Sequence, residues 1–396
     1  LNNEVVVLYN RATKYLEKNN YKKALPMFKQ VIKDFPCKEG YTNLGNCHRG
    51  LGQDKEMFKC YETALRDDIP FLDPTSQTHL HAMNNLGLAH YMYGNDEKAI
   101  HYYTKAIKLK EDFWEAWWNC STAILRQASS GNIDKFPEGW EMYKARFLKG
   151  GAIKLKNDRE DLMFWDTKSN GRAILVLTEQ GIGDNIMFGR YLSELAKKFE
   201  KVYVQCDPSL DWIFKDYTCV RNASDCDAEI AYPICSLGEC FPLLDSKWIS
   251  SNEKFEFGPG LNVGIVWSGS NTHANNAYRS VPIGYFSALS KYCNLFSLNP
   301  MFKGNKYVKP LPIQSWADTA KYIAGLDLVI SVDTSVIHLV GSMGCEGWLL
   351  QPYKETDFRW GNGVKHSVWY DTIEVFENKQ DWSELFARVE ERLSVR

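Results

Sequence analysis

The chain has 396 residues, 44% of them hydrophobic and 24% charged, with a formal net charge of −2. That length accommodates two or three domains and a large core. Near-neutrality removes any bulk reason to expect a nucleic-acid binder or a polybasic membrane anchor. No apolar run approaches a transmembrane span and no signal-peptide pattern stands at the start, so the expected location is cytoplasmic. Leu1 rather than Met opens the sequence, which leaves room for a segment ahead of it. The 11 cysteines are odd in number, form no C-x-x-C pair, and lack His or Cys partners at zinc spacing even where close, as at Cys235 and Cys240. Reduced, mostly buried thiols and no metal are expected. Sequons at Asn119 and Asn222 read as chance matches. The 13 Trp suit a carbohydrate site and repeat packing equally well, so their number decides neither.

Residues 1–150 carry an internal repeat. Ala12, Gly45 and Gly87 take the small-residue place between two helices, with 33 positions from the first to the second and 42 from the second to the third. An insertion near Asp68–Gln77 accounts for the longer interval. Tyr15, Ala24, Phe28, Val31 and Pro36 fill the other signature places of the first unit. Tyr41, Leu44, Tyr61 and Ala64 fill those of the second, and Leu86, Ala99, Tyr103 and Ala106 those of the third. A degenerate fourth unit starts near Trp114, with Trp117 leading. This segment resembles tetratricopeptide repeats over roughly residues 5–150. Such helix pairs bury their apolar faces only by stacking, and the concave face of the stack is the usual place for a peptide or protein partner. A purely stabilising scaffold is the alternative. His79, His81, His90 and His101 share the third unit and read as packing residues, because no Cys or carboxylate spacing supports a metal.

After Lys149-Gly150-Gly151 the pattern changes to short apolar runs alternating with helical stretches. Strands are expected near Ala173–Thr178, Val202–Cys206, Glu229–Ile234, Val263–Trp267, Leu295–Leu298, Leu328–Val332 and Gly347–Gln351. Unbroken apolar runs suit parallel sheets covered on both faces. The fold expected is an all-α solenoid followed by two Rossmann-like α/β lobes, 151–257 and 258–396. Gly258-Pro259-Gly260 marks the linker between them. Facing lobes make a cleft at the carboxyl ends of their strands.

Three strand-to-helix turns carry candidate chemistry. The first runs Glu179-Gln180-Gly181-Ile182-Gly183-Asp184-Asn185 into a helix over 185–199. Gly181 and Gly183 let backbone approach a ligand. Ile186 stands where a dinucleotide fingerprint needs its third glycine. Asp184 is either a helix N-cap or a carboxylate that takes a proton from an acceptor hydroxyl. The second turn runs Val332-Asp333-Thr334-Ser335-Val336-Ile337-His338. N–H groups near Thr334 and Ser335 suit a pyrophosphate, and His338 sits where it either donates to a ligand oxygen or packs in the core. The third is Trp267-Ser268-Gly269-Ser270 followed by Tyr278-Arg279-Ser280-Val281-Pro282, which delivers Arg279 as a two-point phosphate ligand or a plain surface arginine. Lys303, Lys306 and Lys309 form a local basic loop, solvated or phosphate-facing. Asp225-Cys226-Asp227 matches a metal-binding D-x-D by spelling alone and reads as a loop.

These segments in this order behind the repeats resemble the bacterial tetratricopeptide-glycosyltransferase proteins, relatives of the lipopolysaccharide heptosyltransferase family. Gly139-Trp140-Glu141-Met142-Tyr143, Phe164-Trp165-Asp166 and Asp357-Phe358-Arg359-Trp360 agree with it. The resemblance covers essentially the whole chain. It implies a GT-B fold and inverting transfer from a nucleotide-diphosphate sugar to a protein or surface-glycan hydroxyl, with no cofactor or metal. It makes Asp184 the general base, gives Asp333, Thr334 and His338 to the donor's sugar and pyrophosphate, and gives Arg279 to phosphate. The chain departs from the family at Gly344-Cys345-Glu346-Gly347, where a Lys-Pro is usual, and at the loop Phe302–Pro310. Both departures leave the donor base open. Two other readings stand beside it: a binding scaffold without turnover, and a transferase acting on nucleic-acid bases, which near-neutral charge disfavours.

Overall fold

In the computed structural model the described residues are 3–73, 75–148, 158–241, 243–270 and 275–396. The junction expected at Lys149-Gly150-Gly151 lies outside them. The chain divides into two compact units, 1–124 and 125–396.

The first unit is helical: α1 (Asn3–Glu17), α2 (Tyr21–Asp34), α3 (Lys38–Gly50), α4 (Asp54–Ala64), α5 (Thr78–Met92), α6 (Asp96–Leu109) and the first part of α7 (Trp114–Ser129). Consecutive helices pair α1 with α2, α3 with α4 and α5 with α6, and each pair stacks on the next. The signature places explain the pairing. A Cβ on Gly45 would lie 2.5 Å from the ring of Tyr61, and one on Gly87 would lie 2.7 Å from the ring of Tyr103. Both rings are buried, so each helix pair closes on a tyrosine where the facing helix has no side chain. Overpacking such a contact costs about 1–3 kcal/mol. Gly87→Val is therefore expected to lower the thermal midpoint by several degrees. Gly284→Ala, with nothing within 4 Å of its added methyl, should leave the midpoint unchanged.

The expected insertion is the segment between α4 and α5. It is held by two buried charges at the start of α3. Lys38 Nζ donates to the carbonyls of Ala64 (3.1 Å) and Arg66 (2.6 Å), and Glu39 accepts from the Leu72 N–H (2.7 Å). The four histidines pack on rings: His79 on Phe71, His81 on Phe113, and His90 and His101 on Tyr102.

The compact division falls inside α7, so residues 125–148, grouped with the repeats by spacing, belong to the second unit. Their side chains say why. Arg126 donates to the Thr356 carbonyl (3.0 Å), and Trp140 meets Phe188, Phe358 and Trp369 edge-on.

Two all-parallel sheets form this unit. The first contains β1 (Met163–Phe164), β2 (Gly171–Leu177), β3 (Phe199–Gln205), β4 (Thr218–Val220) and β5 (Ile230–Pro233), in the order β1-β5-β2-β3-β4. The second contains β6 (Asn262–Val266), β7 (Asn294–Ser297), β8 (Val308–Pro310), β9 (Leu328–Val332), β10 (Gly347–Gln351) and β11 (Ile373–Glu377), in the order β11-β10-β9-β6-β7-β8. Counted from β6, this is the doubly wound order 3-2-1-4-5-6, whose direction reverses between β6 and β9. β6, β9 and β10 are buried along their whole length. The C-terminal helix Trp382–Ser394 sets Leu385, Phe386, Val389 and Leu393 into the same core.

The seven expected strands are present. The four unexpected ones, β1, β4, β8 and β11, are the edges of the two sheets. The helix expected over 185–199 is shorter and broken. It runs Ile182–Phe188, passes through a 3₁₀ turn at Gly189–Tyr191 and ends with Leu192–Leu195. Gly189 stands at the change, where a Cβ would lie 2.5 Å from the Trp248 ring.

Candidate active site

In an open parallel sheet, ligands bind beyond the carboxyl ends of the strands at the point where strand order reverses. Here that point lies beyond Val266 and Val332. From Val332 the chain passes through Asp333 and Thr334 into the helix Ser335–Ser342. Thr334 takes the N-cap place in an extended conformation, yet its Oγ1 lies 3.2 Å from Ser331 Oγ and makes no bond to the first helical turn. The first-turn N–H groups therefore have no side-chain cap, the state in which a helix start receives an anion.

Asp333 is fixed from two sides. Its carboxylate accepts from Trp360 Nε1 (2.9 Å) and its carbonyl accepts from Arg279 Nη1 (2.7 Å). Burial, with Asp357 beside it, pushes its pKa up to about 6. Arg279 is buried, and its guanidinium lies across Gly269, where a Cβ would stand 2.4 Å from Nη2. Glycine at that position lets a planar cation rest on the backbone.

His338 stacks on Trp360 with centroids 4.8 Å apart, and its Nδ1 lies 2.9 Å from the Tyr370 hydroxyl. Burial, helped by the Arg359 charge, pushes the imidazole down to about 3. At physiological pH it is a neutral hydrogen-bonding ring and not a cation. Gly183 has a packing reason: a Cβ there would lie 2.8 Å from His338 Cδ2 and 3.4 Å from the Ser335 backbone. This contact brings the helix Ile182–Phe188 against the helix Ser335–Ser342.

Asp184 is not the N-cap. Gly181 holds that place, and Asp184, three residues on, accepts the Gly181 N–H on Oδ2 (2.9 Å). Its Oδ1 pairs with Arg359 Nη2. Burial raises the Asp184 pKa, and the Arg359 charge opposes that rise.

Gly181, Gly183, Asp184, Arg279, Asp333, Thr334, Ser335 and His338 line one cavity of about 310 Å³. A second cavity of about 680 Å³ shares Gly269, Ser270, Thr334 and Ser335 with it and extends over Ser268, Asn299, Gln314 and Trp316. The pair offers a charged inner end and a largely neutral outer one, of a size that accepts a small ligand. Trp267 stands apart. Its ring packs edge-on to Phe302 (5.0 Å) against the core of the second sheet.

Four residues with no assigned role join the site: Asp357, Arg359, Trp360 and Tyr370. Asp357 and Arg359 line the inner cavity, while Trp360 and Tyr370 hold Asp333 and His338. They lie on the chain between β10 and β11; the resemblance flagged Asp357, Arg359 and Trp360 without giving them a role, and position beyond a strand's carboxyl end was the signal available for Tyr370. Asp225 and Asp227 are engaged elsewhere: Asp225 caps the Asn222 N–H (2.9 Å), and Asp227 accepts the Tyr203 hydroxyl (2.6 Å) and pairs with Arg172 (2.9 Å). Among the described residues one group has metal-type spacing, Cys206, Asp211 and Cys219, and its Asp211 is already paired with Arg221.

Residues 39–112 match the tetratricopeptide repeat family model. The chain is similar to the protein FlbA of Caulobacter vibrioides, 21% identical over 441 residues, covering 89% of this chain and 72% of FlbA. Solved structures of MamA are also similar. One is 20% identical, covers 36% of this chain and 76% of its own, and has a TM-score of 0.29. A second is 19% identical, covers 38% and 79%, and has a TM-score of 0.30. No helix among the described residues is long and apolar enough to cross a membrane.

Proposed function

We propose that this chain is a glycosyltransferase whose two parallel-sheet lobes form a GT-B catalytic unit. It moves a sugar from a nucleotide-diphosphate sugar to a hydroxyl of a protein or surface-glycan acceptor, and its repeats dock the acceptor. The observation that carries this reading is the convergence of three separate turns, at Asp184, Arg279 and Thr334, on one cavity at the reversal point of the second sheet.

Each group has a task in an inverting displacement. The acceptor O–H gives its proton to Asp184. Its oxygen bonds to the anomeric carbon from the face opposite the diphosphate, and the bond from that carbon to the diphosphate oxygen breaks, its electron pair leaving on the diphosphate. Arg279 and the uncapped N–H groups after Thr334 meet that developing charge. Neutral His338 donates or accepts at a sugar or phosphate oxygen. The outer cavity takes the nucleoside. The matched tetratricopeptide repeats support a protein partner for the first unit.

A thermal-shift screen of nucleoside diphosphates and nucleotide-sugars tests the donor site. A ligand at about 100 times its Kd adds about 2.7 kcal/mol of stability. One base family is expected to raise the midpoint by several degrees. Arg279→Lys, which keeps the charge but loses the two-point fork, is expected to lose most of that rise. A shift that Arg279→Lys leaves intact would remove Arg279 from the donor site. A binding protein without turnover is the second reading, favoured by one observation: Asp184 is already ion-paired.

A further inference from the structure

The ion pair that speaks for a silent site also has an active explanation, which rests on the transferase reading. Both oxygens of Asp184 are engaged, Oδ2 by the Gly181 N–H (2.9 Å) and Oδ1 by Arg359 Nη2. Each oxygen keeps a free lone pair, but the guanidinium charge on Oδ1 lowers the carboxylate's basicity, so Asp184 is a weaker proton acceptor while Arg359 stays in place. The Gly181 N–H is fixed backbone at a helix start, so the partner able to leave is Arg359.

Arg359 is a buried side chain lying against the rings of Phe358 (4.3 Å) and Phe188 (5.9 Å). Its other terminal nitrogen, Nη1, reaches both oxygens of Asp357 (2.8 and 2.9 Å). Asp357 therefore anchors the guanidinium at one end while the other is shared with Asp184. The charges lining the inner cavity are three carboxylates, Asp184, Asp333 and Asp357, against two cations, Arg279 and Arg359. A diphosphate would add further negative charge to a site with no surplus of positive charge. Arg279 is tied to a carbonyl, Asp333 O, and lies flat on Gly269. Arg359 is the cation whose partners are anions, so it is the one for which an incoming anion competes.

We propose that Arg359 is an ion-pair latch: the donor's diphosphate draws Nη2 away from Asp184, so the base is freed only when donor is seated. Arg359 is then a catalytic residue, touching the diphosphate and controlling the base. Donor binds before acceptor, and the empty enzyme holds only a weakened base.

The test reads binding at both ends of the pair. The full-length wild type, Asp184→Asn and Arg359→Gln are titrated with the nucleoside diphosphate that most stabilises the wild type, and thermal melts check that each is folded. With Asp184 neutral, Arg359 no longer has to be taken from an anion. Asp184→Asn is therefore expected to bind the nucleoside diphosphate about tenfold more tightly, and Arg359→Gln about tenfold more weakly, in line with the coupling of close buried charges. Arg359→Lys, which keeps the charge on a less branched head, is expected to fall between wild type and Arg359→Gln. Unchanged or weaker binding by folded Asp184→Asn overturns the latch while leaving the transferase reading intact. Absence of binding by the wild type to every nucleoside diphosphate tried overturns both.

Discussion

Asp184→Asn is expected to lower sugar transfer by about 10²–10⁴-fold, the usual worth of a positioned proton acceptor, while the protein stays folded. Asparagine keeps the side-chain oxygen that accepts the Gly181 N–H, so the start of the helix Ile182–Phe188 persists. It also leaves Arg359 paired with Asp357 through Nη1, so no buried cation is stranded. What is lost is the negative oxygen that the proposed transfer uses to take the acceptor's proton. Initial rates on wild type and variant at saturating donor, with melting midpoints beside them, check the prediction. Equal rates with equal midpoints remove Asp184 from the chemistry.

Breaking the buried pair between Arg146 and Glu179 is expected to have the largest effect on stability. Their side chains are 1% and 2% exposed, and they meet through Nη2 to Oε1 (2.8 Å) and Nε to Oε2 (3.2 Å). Ser236 Oγ (2.6 Å) and the Tyr143 carbonyl (3.2 Å) take further guanidinium hydrogens, and the Cys235 N–H donates to Glu179 (3.2 Å). Removing one partner leaves the other as an uncompensated buried charge, at a cost of about 3–5 kcal/mol. Arg146→Ala should therefore lower the thermal midpoint by roughly 10 °C. Arg146→Met combined with Glu179→Leu should cost clearly less than either residue's removal alone. A similar loss from the double replacement would show that the hydrogen bonds to Ser236, Tyr143 and Cys235, not a stranded charge, set the cost.

The same pair reaches the candidate site. Glu179 opens the turn that carries Asp184, and Gln180 beside it has φ of 59°, an uncommon conformation for a side-chain-bearing residue. Gln180 Nε2 donates to the Tyr143 hydroxyl (2.7 Å), so the short helices before the first sheet hold this turn in place. Loss of Arg146 is thus expected to reduce transfer as well as stability.

Burial on both faces made the interior strands readable. β6, β9 and β10 are mostly apolar and show no polar alternation because both of their faces are buried. The edge strands lacked that signal. β1 is two residues with exposed Met163 and Phe164, β8 ends in Lys309-Pro310, and β11 alternates Ile, Glu, Val, Phe and Glu. Edges are short or charged because an open ladder invites mispairing.

The strand-to-helix turns announced Asp184, Arg279, Asp333 and Thr334, since polar residues following an apolar run mark the carboxyl end of a strand. Arg359 and Trp360 sit in a 3₁₀ turn with no periodicity; the resemblance flagged their segment, but the folded path of the loop is what brings Arg359 to the cavity and Trp360 to Asp333. Trp267 adjoins the polar loop Ser268-Gly269-Ser270 in sequence, but its ring turns back to Phe302. Gly183 looked like room for a ligand, and its nearest constraint is the ring of His338. The Arg146–Glu179 pair spans 33 positions and two segments of different character, so spacing gave no hint of it.

The most direct test of the central claim is release of nucleoside diphosphate from a panel of UDP-, GDP-, CDP- and ADP-sugars. The full-length wild type and Asp184→Asn are compared with cell-envelope glycan and protein acceptors present. The transferase account predicts release by the wild type with one base family, together with sugar on the acceptor, and loss of both in Asp184→Asn. Equal background release by the two proteins across the whole panel would contradict it and leave a repeat-bearing binding protein as the better reading.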